Sequence, residues 1–228
     1  MKRTAILFDM DGLMVDTEPL ARQAWQRVVA PHGAAMTDDL YERMLGRRTV
    51  ESAQLVLDEL RLPVLLETLV ERKTTAFLSS LGDGVPVMPG LWMLLDRIEA
   101  LGLPWAVATS TPRPVAEIVL GKLGVTGRYQ ALACGDEVEH GKPAPDIFLL
   151  AAARLGVAPA ACLALEDSAA GCAAAAAAGM RVAVVPTELT RAETFACAYR
   201  RFSSLTEVAI DLEGLLIEVS ARRRPPGS

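Results

Sequence analysis

The most regular pattern in the chain is a series of short, continuous apolar runs separated by polar turns. Between the later runs lie helix-length segments with amphipathic patterns. Strands that are apolar on both faces and alternate with helices are typical of a parallel sheet covered by helices on both sides. The runs are Ala5–Phe8, Trp105–Ala108, Ala131–Cys134, Cys162–Leu165 and Val182–Val185. The sequence therefore predicts an α/β fold with a three-layer parallel sheet core.

Several of the helical segments carry a side chain that is suited to cap their first turn. A hydroxyl or carboxylate oxygen just before a helix accepts hydrogen bonds from backbone amides that otherwise lack partners. On this basis we expect caps at Thr37, Thr49, Thr111, Asp146 and Ser204, the last in a capping box with Glu207. These residues fix the expected starts of the helices.

One region interrupts the alternation of strands and helices. Residues 17–86 contain helical patterns and no strand, which is far more than a single crossover between parallel strands requires. We therefore predict a catalytic core formed by residues 1–16 and 87–220. Residues 17–86 are expected to form an inserted helical cap over the carboxyl end of the first strand, and residues 221–228 a disordered tail.

Composition and charge narrow the class of protein. The 228 residues are 51% apolar and carry a net charge of −5, and this mild acidity argues against a nucleic-acid surface, which would normally show a basic face. No apolar stretch approaches the roughly 20 residues of a membrane-spanning helix, and no signal peptide precedes the first strand. The four cysteines are scattered, as in a reduced protein. We expect a cytoplasmic monomer or weak dimer that binds neither nucleic acid nor membrane.

Reactive side chains follow four of the five predicted strands, in each case at or just beyond the carboxyl end. In parallel sheets these ends meet at one edge, where ligands bind. Each motif alone has an ordinary explanation as a turn, a cap or a solvated charge, but their joint occurrence favours a shared site. The residues are Asp9 and Asp11, Thr109 and Ser110, Lys142, and Glu166 and Asp167.

The residue types at this edge indicate a chemistry. Several carboxylates without histidine or thiolate are typical of an oxygen-ligand site for a hard cation and favour Mg²⁺. Such a cation would offset the repulsion between Asp9, Asp11 and Asp167. A hydroxyl, helix-start amides and a lysine suit a phosphate group. The sequence therefore predicts a site for phosphoryl transfer.

The four motifs, in this order, resemble those of the haloacid dehalogenase-like hydrolases over roughly Ala5 to Leu215. The resemblance is to the capped phosphatase and β-phosphoglucomutase-like branch, and in particular to sugar-phosphate and pseudouridine-5'-phosphate phosphatases. It implies a Rossmann-like core, and a nucleophile at Asp9 that forms an aspartyl-phosphate. It also implies that Asp11 protonates the leaving oxygen and then deprotonates the attacking water.

The same resemblance implies the remaining roles. Thr109, Ser110 and Lys142 would hold the transferring phosphoryl group. The Mg²⁺ ligands would be Asp9, the backbone carbonyl of Asp11 and Asp167, with Glu166 either a ligand or a group that holds the ligands. The expected function is a magnesium-dependent phosphomonoester hydrolase acting on a small phosphorylated metabolite.

Substrate choice is assigned to the predicted cap. Gly46 and Arg47 lie in an interhelical loop beside Arg48, where cationic side chains at a helix start attract an anion or a hydroxyl-rich ligand, although a solvated loop has the same composition. Glu18 follows the nucleophile loop and is suited either to bind sugar hydroxyls or to cap a helix.

Other interpretations remain open at this point. A β-phosphoglucomutase-type sugar-phosphate mutase is the main alternative, but such mutases carry a histidine shortly after the D-x-D-G motif, where this chain has Ala21. A non-catalytic phosphate- or calcium-binding module is a weaker one. The glycine comes too early for a calcium loop, and both aspartates that a non-catalytic relative would lose are present. A dinucleotide site would need a G-x-G-x-x-G motif, which the first turn lacks.

Overall fold

The computed structural model describes residues 4–221, so the tail predicted to be disordered lies, apart from its first residue, outside the described residues. Within this range six parallel strands form one sheet, in the order β3-β2-β1-β4-β5-β6 once numbered along the chain. Their bounds are β1 Ala5–Phe8, β2 Trp105–Thr109, β3 Ala131–Cys134, β4 Cys162–Glu166, β5 Arg181–Val184 and β6 Arg200–Arg201. The predicted α/β, Rossmann-like parallel sheet is confirmed.

Helices cover both faces of this sheet, and five of them, α1–α5 below, lie between β1 and β2 in the chain. The helices are α1 Glu18–Val29, α2 Asp38–Glu42, α3 Thr49–Leu60, α4 Leu66–Ser80, α5 Leu91–Ala100, α6 Arg113–Leu123, α7 Asp146–Leu155, α8 Ala169–Ala177 and α9 Leu205–Ala221. Side chains of α5, α6 and α9 share one apolar cluster with one face of the strands, and those of α7 and α8 share another with the opposite face. The result is three layers. None of the described helices is both long and apolar enough to cross a membrane.

Alternation along the strands explains the continuous apolar runs. In β1, Ile6 and Phe8 join the cluster of α5, α6 and α9, whereas Ala5 and Leu7 join the cluster of α7 and α8. All four side chains are buried, because both faces of the strand are covered. Strand β6 was not predicted, since its two exposed arginines carry no apolar pattern.

Helices α1–α4 occupy the predicted insert and pack around an apolar cluster of their own, which includes Trp25, Leu40 and Val56. We call them the cap helices and keep the domain bounds as a prediction. The chain leaves the core and returns to it through two adjacent segments. Asp16 N donates to the carbonyl of Pro86 at 2.8 Å, and Met88 N donates to the carbonyl of Met14 at 3.0 Å.

Two of the expected helix caps are confirmed. The Thr37 hydroxyl accepts a hydrogen bond from Leu40 N at 3.2 Å, and the Ser204 hydroxyl accepts one from Glu207 N at 3.3 Å. The Glu207 carboxylate in turn accepts from Ser203 N at 2.8 Å, one residue earlier than in a standard capping box.

The other three caps were predicted wrongly, and each has a specific physical reason. Thr49 is the first helical residue of α3, because Glu51 accepts from the backbone N of Arg48. Asp146 is likewise the first residue of α7 and accepts from the backbone N of His140. Thr111 lies before Pro112, which occupies the cap position of α6, and its hydroxyl is directed elsewhere.

Candidate active site

The strand-end residues converge at the carboxyl edge of the sheet, on both sides of β1. The order of the strands reverses here, since β1 pairs with β2 on one side and with β4 on the other. Asp9 N donates to the carbonyl of Leu165 at 3.0 Å, which continues the pairing of β1 with β4 to the first residue of the D-x-D-G loop. A crevice outside such a reversal is the usual ligand site of an open α/β sheet.

Lys142 reaches this edge from the loop between β3 and α7 and joins two carboxylates. Its Nζ lies 2.5 Å from Asp9 Oδ1 and 2.6 Å from Glu166 Oε1, and all three side chains are buried. Burial alone would lower the pKa of Lys142, but the two carboxylates outweigh it and raise that pKa above its ordinary value. The lysine is therefore a fixed positive charge beside Asp9.

Glu166 is held from both of its oxygens. Oε1 accepts from Lys142, and Oε2 accepts from the backbone N of Asp167 at 3.1 Å and from the N and Oγ of Ser168 at 3.2 and 3.1 Å. Helix α8 comes so close that a Cβ atom at Gly171 would lie 1.8 Å from Glu166 Oε1. Glycine is required at that position, and the Glu166 carboxylate has no freedom to turn.

Three buried carboxylates form a group that fits a cation. Asp9, Glu166 and Asp167 each offer an oxygen, and these oxygens lie within 4.8 Å of one another. Burial raises the pKa of Asp9 to about 8, against the lowering effect of Lys142, and raises the pKa of Asp167 well above its ordinary value. Among residues 4–221 no hydrogen bond reaches the Asp167 carboxylate. One lysine leaves such a cluster short of positive charge, and an all-oxygen set of this kind suits a hard divalent cation.

Asp11 belongs to a different set of contacts. Its Oδ1 accepts from the Thr17 hydroxyl at 2.5 Å and its Oδ2 from the Thr111 hydroxyl at 2.7 Å, with Thr109 further away at 3.5 Å. The carboxylate is thus turned away from the acidic cluster, and metal binding through its backbone carbonyl stays a prediction. A carboxylate oriented by hydroxyl donors at the mouth of the site is placed for proton transfer.

The cap helices close the site from the other side. A cavity of about 90 Å³ lies between them and the sheet edge, lined by Asp9, Asp11, Thr109 and Ser110 from the core. From the cap it is lined by Glu18, Gly46 and Arg47, so the predicted substrate residues all face it. Ala21, where the mutase interpretation would require a histidine, also lines this cavity.

The predicted substrate residues are held to different degrees. Glu18 Oε2 accepts from the Tyr41 hydroxyl at 2.6 Å, and burial raises the pKa of Glu18 although this hydrogen bond opposes it. The Gly46 carbonyl accepts from the Ser110 hydroxyl at 2.8 Å, which joins the cap to a predicted phosphate-binding residue. Arg47 is exposed, and within residues 4–221 its side chain donates one hydrogen bond, from Nε to the carbonyl of Arg43 at 2.8 Å.

Four residues of the site were missed by sequence reasoning: Thr17, Tyr41, Lys73 and Thr111. Lys73 on α4 lines the cavity, with its Nζ 5.0 Å from the Phe77 ring centre and no hydrogen bond to any residue of the described range. Burial lowers the pKa of Lys73, although Asp11 and Glu18 act to raise it. Thr17, Tyr41 and Lys73 belong to the cap segment and carry no spacing signal, so only the packing of the cap brings them to the site. Thr111 lies on the core loop two residues after the predicted Thr109, and this closeness in sequence is a signal that could have found it.

The chain is similar in sequence and in fold to proteins of a known family. A family model described as haloacid dehalogenase-like hydrolase matches residues 4–179. The fructose-1-phosphate phosphatase YqaB of Escherichia coli (strain K12) is 37% identical over 77% of this chain and 92% of its own length. A probable pseudouridine-5'-phosphatase of Drosophila melanogaster is 34% identical over 94% of this chain and 95% of its own. The crystal structure of CbbY from Rhodobacter sphaeroides in complex with phosphate matches with a TM-score of 0.82 at 33% identity, covering 91% of this chain and 96% of that one.

Proposed function

Because the chain belongs to the haloacid dehalogenase-like hydrolases, we propose that it is a magnesium-dependent phosphatase that acts through an aspartyl-phosphate. The observation that carries the proposal is the contact of Lys142 with Asp9, 2.5 Å long and buried, beside the unpaired carboxylate of Asp167. A nucleophilic carboxylate that attacks a phosphate anion needs positive charge at both reactants. Lys142 supplies one positive charge, and the acidic cluster is suited to hold a cation that supplies the other.

The residues that would hold Mg²⁺ are Asp9, Asp167 and the backbone carbonyl of Asp11. Both oxygens of Glu166 already accept hydrogen bonds, which favours a role in holding Lys142 and the loop after β4 rather than direct ligation. When bound, the cation neutralises charge on the phosphoryl oxygens. Burial is the main cause of the raised pKa values of Asp9 and Asp167, and the neighbouring carboxylates add to it, so a cation at this position would favour the ionised forms.

The chain's own residues account for the chemical steps. An Asp9 oxygen forms a bond to phosphorus while the bond to the leaving oxygen breaks, and Asp11 gives that oxygen its proton. In the second step Asp11 takes a proton from water, whose oxygen attacks phosphorus and releases Asp9 and inorganic phosphate. Lys142, Thr109 and Ser110 hold the phosphoryl oxygens throughout.

The cap side of the cavity supports a small, hydroxylated substrate such as a sugar or nucleoside phosphate. Glu18 offers acceptors, and Lys73 and Arg47 offer donors, to a hydroxylated ligand. The two relatives with phosphatase names act, by those names, on fructose 1-phosphate and pseudouridine 5'-phosphate. These compounds define the class from which the substrate is drawn.

A panel of phosphorylated metabolites tests the proposal through release of inorganic phosphate. We expect release from sugar or nucleoside monophosphates, loss of that release with a chelator and its return with Mg²⁺. The panel should include fructose 1-phosphate, pseudouridine 5'-phosphate and p-nitrophenyl phosphate. If no monoester is hydrolysed in saturating Mg²⁺, the proposed function is wrong.

A sugar-phosphate mutase is the second candidate, and Ala21 distinguishes it. A mutase must shield the aspartyl-phosphate from water until the sugar returns its other hydroxyl, and alanine can neither donate nor accept a proton at this position. We therefore expect hydrolysis to outrun transfer. With β-glucose 1-phosphate and a trace of the bisphosphate, free phosphate should exceed glucose 6-phosphate, and the reverse result would assign the mutase.

A further inference from the structure

Arg48 makes a contact between the cap and the core that the substrate interpretation of this loop does not explain. Its Nη1 donates to the backbone carbonyls of Val138 and Glu139, at 3.1 and 3.2 Å. These residues belong to the core loop that runs on through Gly141 into Lys142. Arg48 does not line the cavity, whereas its neighbour Arg47 does. The guanidinium of Arg48 is therefore used on protein, not kept for a ligand.

The geometry of this contact is fixed from the cap side. Arg48 Nε donates to Glu51 Oε1 at 2.8 Å, and Nη2 lies 2.5 Å from the same oxygen, while Glu51 Oε2 accepts from Arg48 N. The Arg48 side chain is 20% exposed, so the pair is largely shielded from water. A guanidinium bound on one edge by a carboxylate presents its other edge in a set direction, which an ammonium group cannot do.

The core side makes room for the pair. A Cβ atom at Gly141 would lie 2.8 Å from Arg48 Nε and 2.8 Å from Glu51 Oε1, so this glycine lets the core loop approach the cap. Arg48 thus touches the backbone three and four residues before the buried Lys142. The placement of the Lys142 ammonium group depends on the path of that backbone.

Ser110 provides a second contact of the same kind. Its hydroxyl donates to the carbonyl of Gly46, two residues before Arg48 on the same cap loop. Gly46 also lies against Ser168, since a Cβ atom there would be 2.9 Å from Ser168 Oγ. One cap loop therefore meets the core segments that carry Ser110, Lys142 and the metal-site carboxylates.

We propose that Arg48 is a positioning residue, which clasps the closed cap to the loop of residues 138–141 and thereby sets the position of Lys142. This inference rests on the proposed function only for the effect on catalysis. The clasp itself is a statement about cap and core, and it can be measured without a substrate. An arginine with this role acts equally on every phosphate ester, because Lys142 contacts the part that all of them share.

The test compares Arg48→Ala and Arg48→Lys with the wild-type enzyme. The first measurement is amide hydrogen exchange, for which we expect faster exchange in residues 138–142 and unchanged exchange in α1 and α4. The second is kcat/KM for p-nitrophenyl phosphate and for fructose 1-phosphate, which should both fall by the same factor, on the order of tenfold. Arg48→Lys should behave like Arg48→Ala, since lysine cannot bridge Glu51 and the two carbonyls.

Arg43→Ala is the matched control. Arg43 is also a cap arginine, but its ion pairs are with Asp39 and Glu59, both within the cap. We expect this variant to leave exchange in residues 138–142 and both kcat/KM values unchanged. The thermal midpoint of each variant is measured alongside, to separate a local change from loss of the fold.

The outcomes separate the proposal from its rivals. A loss confined to fructose 1-phosphate would make Arg48 a substrate-recognition residue and overturn the clasp. Exchange in residues 138–142 that stays at the wild-type rate would also overturn it, as would faster exchange throughout the cap with a lowered thermal midpoint. If the wild-type enzyme releases phosphate from neither ester, the proposed function fails, and the exchange measurement still decides the clasp.

Discussion

The two sides of the cleft hold their polar groups in different ways. On the core side, Asp9, Lys142 and Glu166 are buried and bound to one another over 2.5–2.6 Å. On the cap side, Arg47 is exposed and Lys73 makes no hydrogen bond to any described residue. The core groups exchanged water for one another during folding, whereas Arg47 and Lys73 still have donors to offer. The difference indicates that the fold alone fixes the groups proposed for the chemistry, whereas the cap side chains are available to form hydrogen bonds with a substrate.

The comparison also explains why the core cannot be altered piece by piece. Removing one partner of a buried ion pair leaves the other charge without compensation, which costs about 3–5 kcal/mol in typical proteins. Removing an exposed cap side chain costs much less, because water solvates the partner that has lost its contact. Substitutions on the two sides should therefore differ in size and in kind.

The largest expected effect comes from Asp9→Asn, which keeps the shape of the side chain and removes the proposed nucleophile. Phosphate release should fall by several orders of magnitude on every substrate, and no acid-stable, base-labile phosphoenzyme should form. Asp83→Asn, at an exposed position, is the control and should be silent. Retention of most of the activity in Asp9→Asn would refute the covalent mechanism.

Asp11→Asn should have the next largest effect. Both leaving-group protonation and water activation suffer, so kcat should fall by roughly 10²–10⁴-fold on all substrates. The asparagine can accept a hydrogen bond from one of the two hydroxyls of Thr17 and Thr111 and donate one to the other. Affinity for Mg²⁺ should be unchanged, because the Asp11 side chain lies outside the acidic cluster. Titration of Mg²⁺ against thermal stability checks this. A loss of affinity as large as in Asp167→Ala would contradict the division of roles.

The third prediction concerns the dependence of stability on pH and metal. The folded pKa of Asp9, about 8, exceeds its unfolded value, so the folded state binds more protons between about pH 4 and 8. Without metal, stability should therefore fall as the pH rises through this window. Mg²⁺ binds the ionised carboxylates and should therefore stabilise the folded state at pH 8. At 100 times its dissociation constant the free energy of unfolding should rise by about 2.7 kcal/mol.

At pH 5.5 the same Mg²⁺ concentration should stabilise much less. Thermal unfolding with and without Mg²⁺ at the two pH values measures the difference, and Ca²⁺ serves as a second cation. Equal stabilisation at both pH values would show that the cation binds away from the acidic cluster.

The smallest effect is expected on the cap side, where Arg47→Ala should change discrimination and not chemistry. For fructose 1-phosphate kcat/KM should fall by about tenfold, and for p-nitrophenyl phosphate it should hardly change. Arg27→Ala, another exposed cap arginine, should alter neither value. An equal loss on both esters would mean that Arg47 acts on closure or folding, and the contrast between the two sides would then disappear.

The core was predictable from the sequence because its signals are local. A buried strand reads as a continuous apolar run, and the bounds of β1 and β3 agree with those expected. The convergence of the polar residues at the strand ends could be predicted from one rule, that the carboxyl ends of parallel strands meet at one edge of the sheet. Asp9, Lys142 and Glu166 therefore meet although 133 and 24 residues separate Lys142 from its two partners.

The rest of the site depends on packing that no local pattern records. Thr111 was expected to cap α6, but Pro112 holds that position and the freed hydroxyl donates to Asp11. Arg48 was grouped with Arg47, and only the approach of a core loop 90 residues away turns one arginine inward. Hydroxyls and long cationic side chains have several adequate partners in any sequence. The fold decides among them through distance and burial.

The pairing of the two segments that join the cap helices to the core affects how far the segment between them can change in length or sequence. Because Asp16 bonds to Pro86 and Met88 to Met14, everything between them begins and ends at one place on the core. The entropy of closing such a loop grows only with the logarithm of its length, about 0.6 kcal/mol for each doubling. The length of this segment should therefore have little effect on the stability of the sheet. The segment between these two pairings can therefore change in length or sequence with little effect on the sheet, provided that the contact of Arg48 with the core loop is kept.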